Sequence, residues 1–302
     1  MNIPSIDYLV IGSPKCATTT MCKLLEQHPE VYMSQPKEPR FFCPAVPEEK
    51  QSWEWYSSLF EGVTSEKVIG EGTVNYTASD YRSLVDPQLI HSYYPGIKLI
   101  YMVRDPIERI ESHWLSHAIM GWPQKVSDFD IAVRTSSVYI NTSRYWSHFN
   151  RFRRFFDDSQ FHIIFFEDFV KSPETSMAVL FEFLGVDPYF QLKDAGQNYN
   201  KATEKRFRDS NLTRMLRSMG VIEGVRQLIP RPLYKHAIPF LKQKNVGRPA
   251  WKDETLAWAI NELRDDSLRF LSYCNKPDDF WKSYANDQKS CYGDRFTAFT
   301  GV

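Results

Sequence analysis

Several things are missing from this chain, and each absence removes a class of protein. No run approaches the roughly 18 consecutive apolar residues of a membrane span. The start, Met1-Asn-Ile-Pro-Ser5, lacks the basic-then-apolar order of a secretory signal, so the chain is expected in the cytoplasm. Its cysteines (Cys16, Cys22, Cys43, Cys274 and Cys291) are odd in number, form no CxxC pair and have no histidine cluster beside them. That argues against a disulfide framework or a zinc site and for reduced thiols. There is no net charge, with 37 Lys+Arg against 37 Asp+Glu, which excludes a dedicated nucleic-acid binder but not a local basic pocket. Internal repeats and low-complexity tracts are absent too. What is there is core-forming material: 42% hydrophobic and 15% aromatic residues in a chain of 302, enough for one large α/β domain or two small ones.

Apolar runs alternate with amphipathic stretches. Tyr8 to Ile11, Val31 to Met33, Lys67 to Thr73, Lys98 to Val103 and Phe161 to Phe165 read as strands. Lys98-Leu-Ile-Tyr-Met-Val103 is the strongest, continuous and β-prone, as a strand buried on both faces should be. Between them, Ala17 to His28, Trp53 to Phe60, Tyr81 to Tyr94, Ile107 to Met120, Ser143 to Phe156, Glu174 to Leu184 and Asp253 to Tyr273 carry helical periodicity. This alternation predicts an α/β fold, a P-loop-type parallel sheet with helices on both faces. The expected organisation is one domain over 1–302, with core 7–185 and 247–282. An insertion at about 187–246, helical and looped, covers the C-terminal edge of the sheet.

The first strand breaks at Gly12-Ser13-Pro14, presents Lys15 and enters a helix rich in threonine. Strand, tight turn, lysine and hydroxyl-bearing helix start make an anion cradle. The common ATP/GTP loop needs four residues between its glycines followed by Gly-Lys-Ser/Thr, whereas Lys15 comes three residues after Gly12. The alternative is a buried strand and capped helix with Lys15 in solvent.

Ligands of open parallel sheets bind outside the carboxyl ends of the strands. Three loops fall there: Gly12 to Thr20; Ser34 to Phe42, with Lys37, Glu38 and Arg40; and Arg104-Asp105-Pro106, with Arg109 and Ser112 on the next helix. Two anion-binding devices on adjacent strands imply a ligand with two separate phosphates. Singly, Arg104 reads equally as a salt bridge to Asp105 or Glu108, Ser112 as a surface serine, and Glu38 as a partner of Lys37 or Arg40. His113 and His117 stand four apart but have no third ligand nearby, so no metal site is assigned. The aromatic set Tyr145, Trp146, Phe149, Phe152, Phe155 and Phe156 reads as core packing, and Arg151, Arg153 and Arg154 as a solvated face.

Pro14-Lys-Cys-Ala-Thr-Thr-Thr20 resembles the 5′-phosphosulfate loop of sulfotransferases that use 3′-phosphoadenosine 5′-phosphosulfate (PAPS), and Val103-Arg-Asp-Pro-Ile-Glu-Arg-Ile-Glu-Ser112 resembles their 3′-phosphate motif. His28-Pro-Glu-Val31 with Lys37-Glu-Pro-Arg-Phe-Phe42 is similar to the heparan-sulfate-type and bacterial branch, as is Gly70-Glu-Gly-Thr-Val-Asn-Tyr76. Val246-Gly-Arg-Pro-Ala-Trp251 and Asp279-Phe-Trp281 match the family's Gly-Arg turn and terminal aromatic motif more loosely. Three positions depart from the pattern: Cys16-Ala17 for a small residue and glycine, Arg40 for histidine, and Gly72 for a lysine that contacts glycan in several relatives.

The resemblance implies that PAPS, with PAP as product, is held by Pro14, Lys15, Cys16, Ala17, Thr18, Thr19, Thr20, Arg104, Ser112, Gly247 and Arg248. It implies Lys15 and Glu38 as catalytic residues and places Arg40 and Tyr76 toward the substrate. The chemistry fits: a lysine can stabilise the leaving bridging oxygen, a carboxylate on the same edge can take the acceptor's proton, and no metal is required. The acceptor would be a small molecule or carbohydrate hydroxyl. A P-loop small-molecule kinase, or a nucleotide-binding domain without turnover, is the alternative. Oligomeric state is not legible.

Overall fold

The computed structural model describes residues 3–78, 85–120, 128–193, 207–209, 242–245 and 247–285. Five strands, β1 (Tyr8–Gly12), β2 (Val31–Met33), β3 (Val68–Gly72), β4 (Lys98–Val103) and β5 (Phe161–Phe165), form one sheet in the order β2-β3-β1-β4-β5. All four pairings are parallel. β1 is buried at every position and β4 at all but its first, as two-faced coverage demands.

Helices supply that coverage. α1 (Thr18–Leu25) and α9 (Pro173–Leu184) lie on one face, where the His28 ring meets Phe181 at 4.6 Å, tilted by 53°. α7 (Tyr145–Phe152) and α10 (Asp253–Tyr273) lie on the other, where Phe149 meets Phe270 edge-on at 5.8 Å between centroids. In α10 the buried residues Thr255, Ala259, Leu263, Asp266, Ser267, Phe270 and Leu271 recur every three to four positions, so one stripe faces inward. A second apolar cluster joins α4 (Pro106–Met120) to α5 (Phe129–Thr135), α6 (Ser137–Asn141) and α10 through Ile110, Trp114, Val133 and Leu263.

Local chemistry sets the boundaries. Ser52 caps α2 (Trp53–Ser58) by accepting from Trp55 N, and Asp86 caps α3 (Pro87–Tyr93) by accepting from Gln88 N, with Pro87 in the first turn. Gly185, at φ 88°, closes α9 in the left-handed conformation that glycine adopts without steric cost. α8 (Phe166–Lys171) follows β5 directly. The aromatic helix is shorter than its periodicity predicts, and Tyr145, Phe149 and Phe152 are fully buried in the core. Most of the expected 187–246 insertion lies outside the described residues. Two short strands within it, β6 (Phe207–Asp209) and β7 (Lys242–Asn245), pair antiparallel where helix and loop were expected. The stretch 79–84 of the expected Tyr81 to Tyr94 helix and the last seventeen residues, 286–302, also lie outside them. Within the described residues, no helix is long and apolar enough to cross a membrane.

The strand order has one functional consequence. β1 is flanked by β3 on one side and β4 on the other, so the connections that leave the parallel strands β1 and β4 run to opposite sides of the sheet. The loops leaving their carboxyl ends border the crevice where open α/β sheets bind ligands.

Candidate active site

The loop after β1 is shaped by backbone conformation. Gly12 sits at φ 152°, and a Cβ there would fall 1.8 Å from Thr77 Oγ1, whose hydroxyl donates to Ile11 O. Ser13 N donates to Met102 O at 2.7 Å, which fastens the loop to β4. Lys15 and Ala17 take φ of 72° and 68°, left-handed values two residues apart that turn successive amides toward one side. Ala17 is the N-cap of α1, no side chain caps the helix and no acidic residue occupies its first turn. The positive end of the helix dipole and its first amides are thus presented at the crevice, next to Lys15 and the hydroxyls of Thr18, Thr19 and Thr20. Pro14 and Lys15 are half-buried, Thr18 is buried and Thr19 exposed.

Cys16 points the other way. Its side chain is wholly buried, with Sγ 3.7 Å from Tyr145 Oη, and burial, only partly offset by Arg109, pushes the thiol up to about 11. Its N–H donates to Ser13 O at 3.3 Å. As a predicted cofactor residue it therefore supports the loop from beneath. The other described thiols, Cys22, Cys43 and Cys274, are also unbridged.

The second loop docks on the end of β3. Glu38 N donates to Gly72 O at 3.0 Å, and Arg40 N to Thr73 Oγ1 at 3.1 Å. Phe41 stacks on Tyr56 at 4.1 Å and anchors the far end. Glu38 and Arg40 sit at φ 65° and 62°, sparsely populated values for such residues. The Glu38 carboxylate, 31% exposed, lies between Lys37 (Nζ to Oε1, 3.1 Å) and Arg40 (3.8 Å). It thus has both ion-pair partners that the sequence offered and also faces solvent. A Cβ at Gly72 would stand 3.2 Å from Cys22 Sγ and in ordinary contact, 3.7 Å, with Lys37 Cε.

Beneath this loop is a residue to which sequence reasoning assigned no role. Glu71 is fully buried and accepts from Thr73 Oγ1 at 2.8 Å and Tyr76 Oη at 2.5 Å. Burial pushes its carboxyl up to about 7, against the opposing hydrogen bonds of Tyr76 and Thr73 and the charge of Lys37. The signal was present: an acid set between glycines at the carboxyl end of a strand. The same network holds Tyr76, which the resemblance placed toward the substrate: its side chain is fully buried with its hydroxyl on Glu71.

The third loop leaves β4. Asp105 accepts from Ile107 N at 2.9 Å and so caps α4, and it also accepts from Ser283 N and Oγ in the C-terminal segment. Arg104 donates through Nε (3.1 Å) and Nη2 to Glu108 Oε2, and its guanidinium lies 4.4 Å from the Phe166 ring centre. Burial raises the Glu108 carboxyl, but the hydrogen bond and charge of Arg104, with Arg248, outweigh it and the net value is lowered. Arg248 donates through Nε to Glu111 and approaches Glu108 Oε1 at 3.7 Å, while Trp251 Nε1 donates to Glu111 Oε1 at 2.8 Å. Glu108, Glu111, Arg248 and Trp251 border a cleft of about 370 Å³ that Asp105 and Lys282 also line, and Arg104 is tied to its wall through Glu108. Gly247 is exposed beside it. Ser112 is half-buried one turn past Glu108 and, like Arg104, is not among the residues that line this cleft. Arg109 is likewise withdrawn. It is fully buried and donates to Ser143 Oγ and Tyr139 O, both at 2.6 Å. His117 contacts Tyr139 Oη at 3.0 Å, and His113 contacts Arg109 at 3.1 Å. No group of three or more metal-ligating side chains occurs among the described residues.

The geometry thus offers two cationic anion sites on neighbouring strands and a carboxylate beside them. A protein-family profile described as "Sulfotransferase domain" matches residues 5–231. Human (Homo sapiens) carbohydrate sulfotransferase 15 is 24% identical over an alignment covering 83% of this chain and 54% of the relative. Mouse (Mus musculus) bifunctional heparan sulfate N-deacetylase/N-sulfotransferase 4 is 26% identical over 62% of this chain and 23% of the relative. The chain therefore spans about half, or less, of the length of these relatives. Among solved structures, a sulfotransferase from Alicyclobacillus acidocaldarius superposes with a TM-score of 0.66 over 93% of this chain and 100% of that one, at 19% identity. That likeness shows the α/β fold.

Proposed function

Because the chain belongs to the sulfotransferase domain family, we propose that it moves a sulfuryl group from PAPS to an acceptor hydroxyl by in-line displacement. The observation that carries this reading is the pair of anion sites at the switch point between β1 and β4. The uncapped, left-handed start of α1 takes one phosphate, and Arg104 with Arg248 takes the other. The donor set fits the cofactor: amides, hydroxyls and a lysine for the 5′ end, and planar guanidinium forks for a compact dianion. Bound there, PAPS supplies a sulfuryl group activated by its phosphate leaving group.

The residues do the rest. Lys15, at the mouth of the cradle, stabilises negative charge growing on the bridging oxygen. Thr18, Thr19 and Thr20 orient the 5′-phosphate with the helix amides. Glu38 accepts the acceptor's proton once Lys37 yields its hold on Oε1. Arg40, 54% exposed beside it, is the residue we assign to the acceptor. Relatives named for carbohydrate and heparan sulfate sulfation support a carbohydrate as the acceptor class.

Thermal shift with PAP and with ATP plus Mg²⁺ tests the cofactor. PAP alone should stabilise the fold, and stabilisation only by ATP with Mg²⁺ would favour a kinase instead. Glu38→Gln should keep PAP affinity and lose turnover with labelled PAPS and a panel of sugar acceptors; unchanged turnover removes Glu38 as base.

A further inference from the structure

We propose that Glu108 and Glu111 are internal anions that compete with the nucleotide's second phosphate for Arg104 and Arg248, and so set how strongly the protein discriminates ligands with that phosphate from ligands without it. This rests on the reading of the two arginines as phosphate residues.

The arginines come from distant parts of the chain, and the two carboxylates on one face of α4 join them. Glu108 spends one oxygen on Arg104, which donates two N–H groups to it, and faces Arg248 with the other at 3.7 Å. Glu111 receives Arg248 on one oxygen and the Trp251 indole on the other. Arg104 is 20% exposed and held over Phe166, so its N–H fork is already committed in a half-buried setting. A guanidinium fork fits a carboxylate and a phosphate by the same geometry, so the two anions contend for the same donors. With both carboxylates in place, the charges of the two arginines are balanced. A phosphate entering the cleft adds negative charge beside Glu108 and Glu111, and only Lys282 among the other lining residues brings a further cation. A nucleotide lacking the 3′-phosphate leaves every one of these pairs intact.

The carboxylates therefore lower affinity selectively for the ligand that needs the arginines. Glutamine at 108 keeps the shape and a weak acceptor but gives up the charge. PAP should bind Glu108→Gln about tenfold more tightly, the scale of one charge-assisted hydrogen bond no longer opposed. Adenosine 5′-monophosphate (AMP) should bind as it does to the unaltered protein. Glu111→Gln should move PAP in the same direction by less, because Arg248 is 65% exposed and its pair is screened.

Isothermal titration of PAP and AMP into the unaltered chain and both variants decides it, with far-UV circular dichroism confirming the fold of each. Tighter PAP with unchanged AMP supports the proposal. PAP unchanged or weaker in both variants overturns it and makes the glutamates organisers of the arginines. Equal tightening of PAP and AMP also overturns it, since the effect is then a general field. If the unaltered chain binds PAP no better than AMP, the assignment of the arginines to the second phosphate has failed, which is a separate result.

Discussion

Replacing Glu71 by glutamine removes a buried carboxyl whose titration lies far from that of an exposed one. In the folded protein it titrates at about 7, against 4.5 for the ordinary group, with burial as the main cause. Between those values the native state keeps a proton that the unfolded chain has released. The contribution of Glu71 to stability is therefore fully present below about 4.5 and lost as pH rises through about 7. At about 1.4 kcal/mol per pK unit the full swing is roughly 3 kcal/mol, an upper bound for a group coupled to Lys37, Glu38 and Tyr76. Glutamine keeps an acceptor for Tyr76 Oη and does not titrate. The measurement is the melting temperature of both proteins at pH 5, 6, 7 and 8 in one buffer series. The melting temperature of Glu71→Gln should gain on that of the unaltered chain as pH rises, by a few degrees over the series. Two curves that stay parallel would refute the reasoning and mean that Glu71 remains ionised throughout.

Two further outcomes follow from the geometry. Lys15→Met should cut turnover by about 10²- to 10³-fold, as loss of one oxyanion donor does, while PAP affinity falls far less; equal losses in both would make Lys15 a ground-state binding residue only. Asp266→Ala should destabilise the fold by about 2 kcal/mol in urea denaturation, because Asp266 reaches from α10 to accept from Trp146 N, Ser147 N and Ser147 Oγ at the start of α7. A cost below about 0.5 kcal/mol would show that α7 does not depend on this cap.

Sequence patterning located the sheet well because parallel strands buried on both faces leave continuous apolar runs, as Leu99 to Val103 does. It also located the cradle, since glycine, lysine and threonine after a strand have a local cause. Whatever depended on side-chain direction stayed hidden. The resemblance placed Arg104 and Ser112 on one phosphate, whereas the cleft beside them is lined by Glu108, Glu111 and Arg248, of which it had singled out only Arg248 for that place. The resemblance placed Tyr76 toward the substrate, and a three-ten turn carries its side chain inward onto Glu71. Cys16 belongs to the motif and still packs into the core. Arg109 belongs to the same motif as Arg104 and is buried among neutral partners. Residues one or two apart on a loop or helix point to opposite sides, and nothing local in the sequence says which side is the ligand's.

The profile that identifies the family ends at residue 231, yet contacts that hold the cradle's surroundings come from beyond it. Trp281 is fully buried, parallel to Phe270 and 5.7 Å from the ring of Tyr145, whose hydroxyl faces the Cys16 thiol. Ser283 grips the aspartate that starts α4. The stretch that the profile matches is therefore shorter than the stretch whose contacts hold the cradle in place. A fragment cut at the profile's boundary would keep both phosphate motifs as text and lose the plug beneath one and the clasp behind the other. Recombining this family by its recognised module alone would transplant a motif without its foundation.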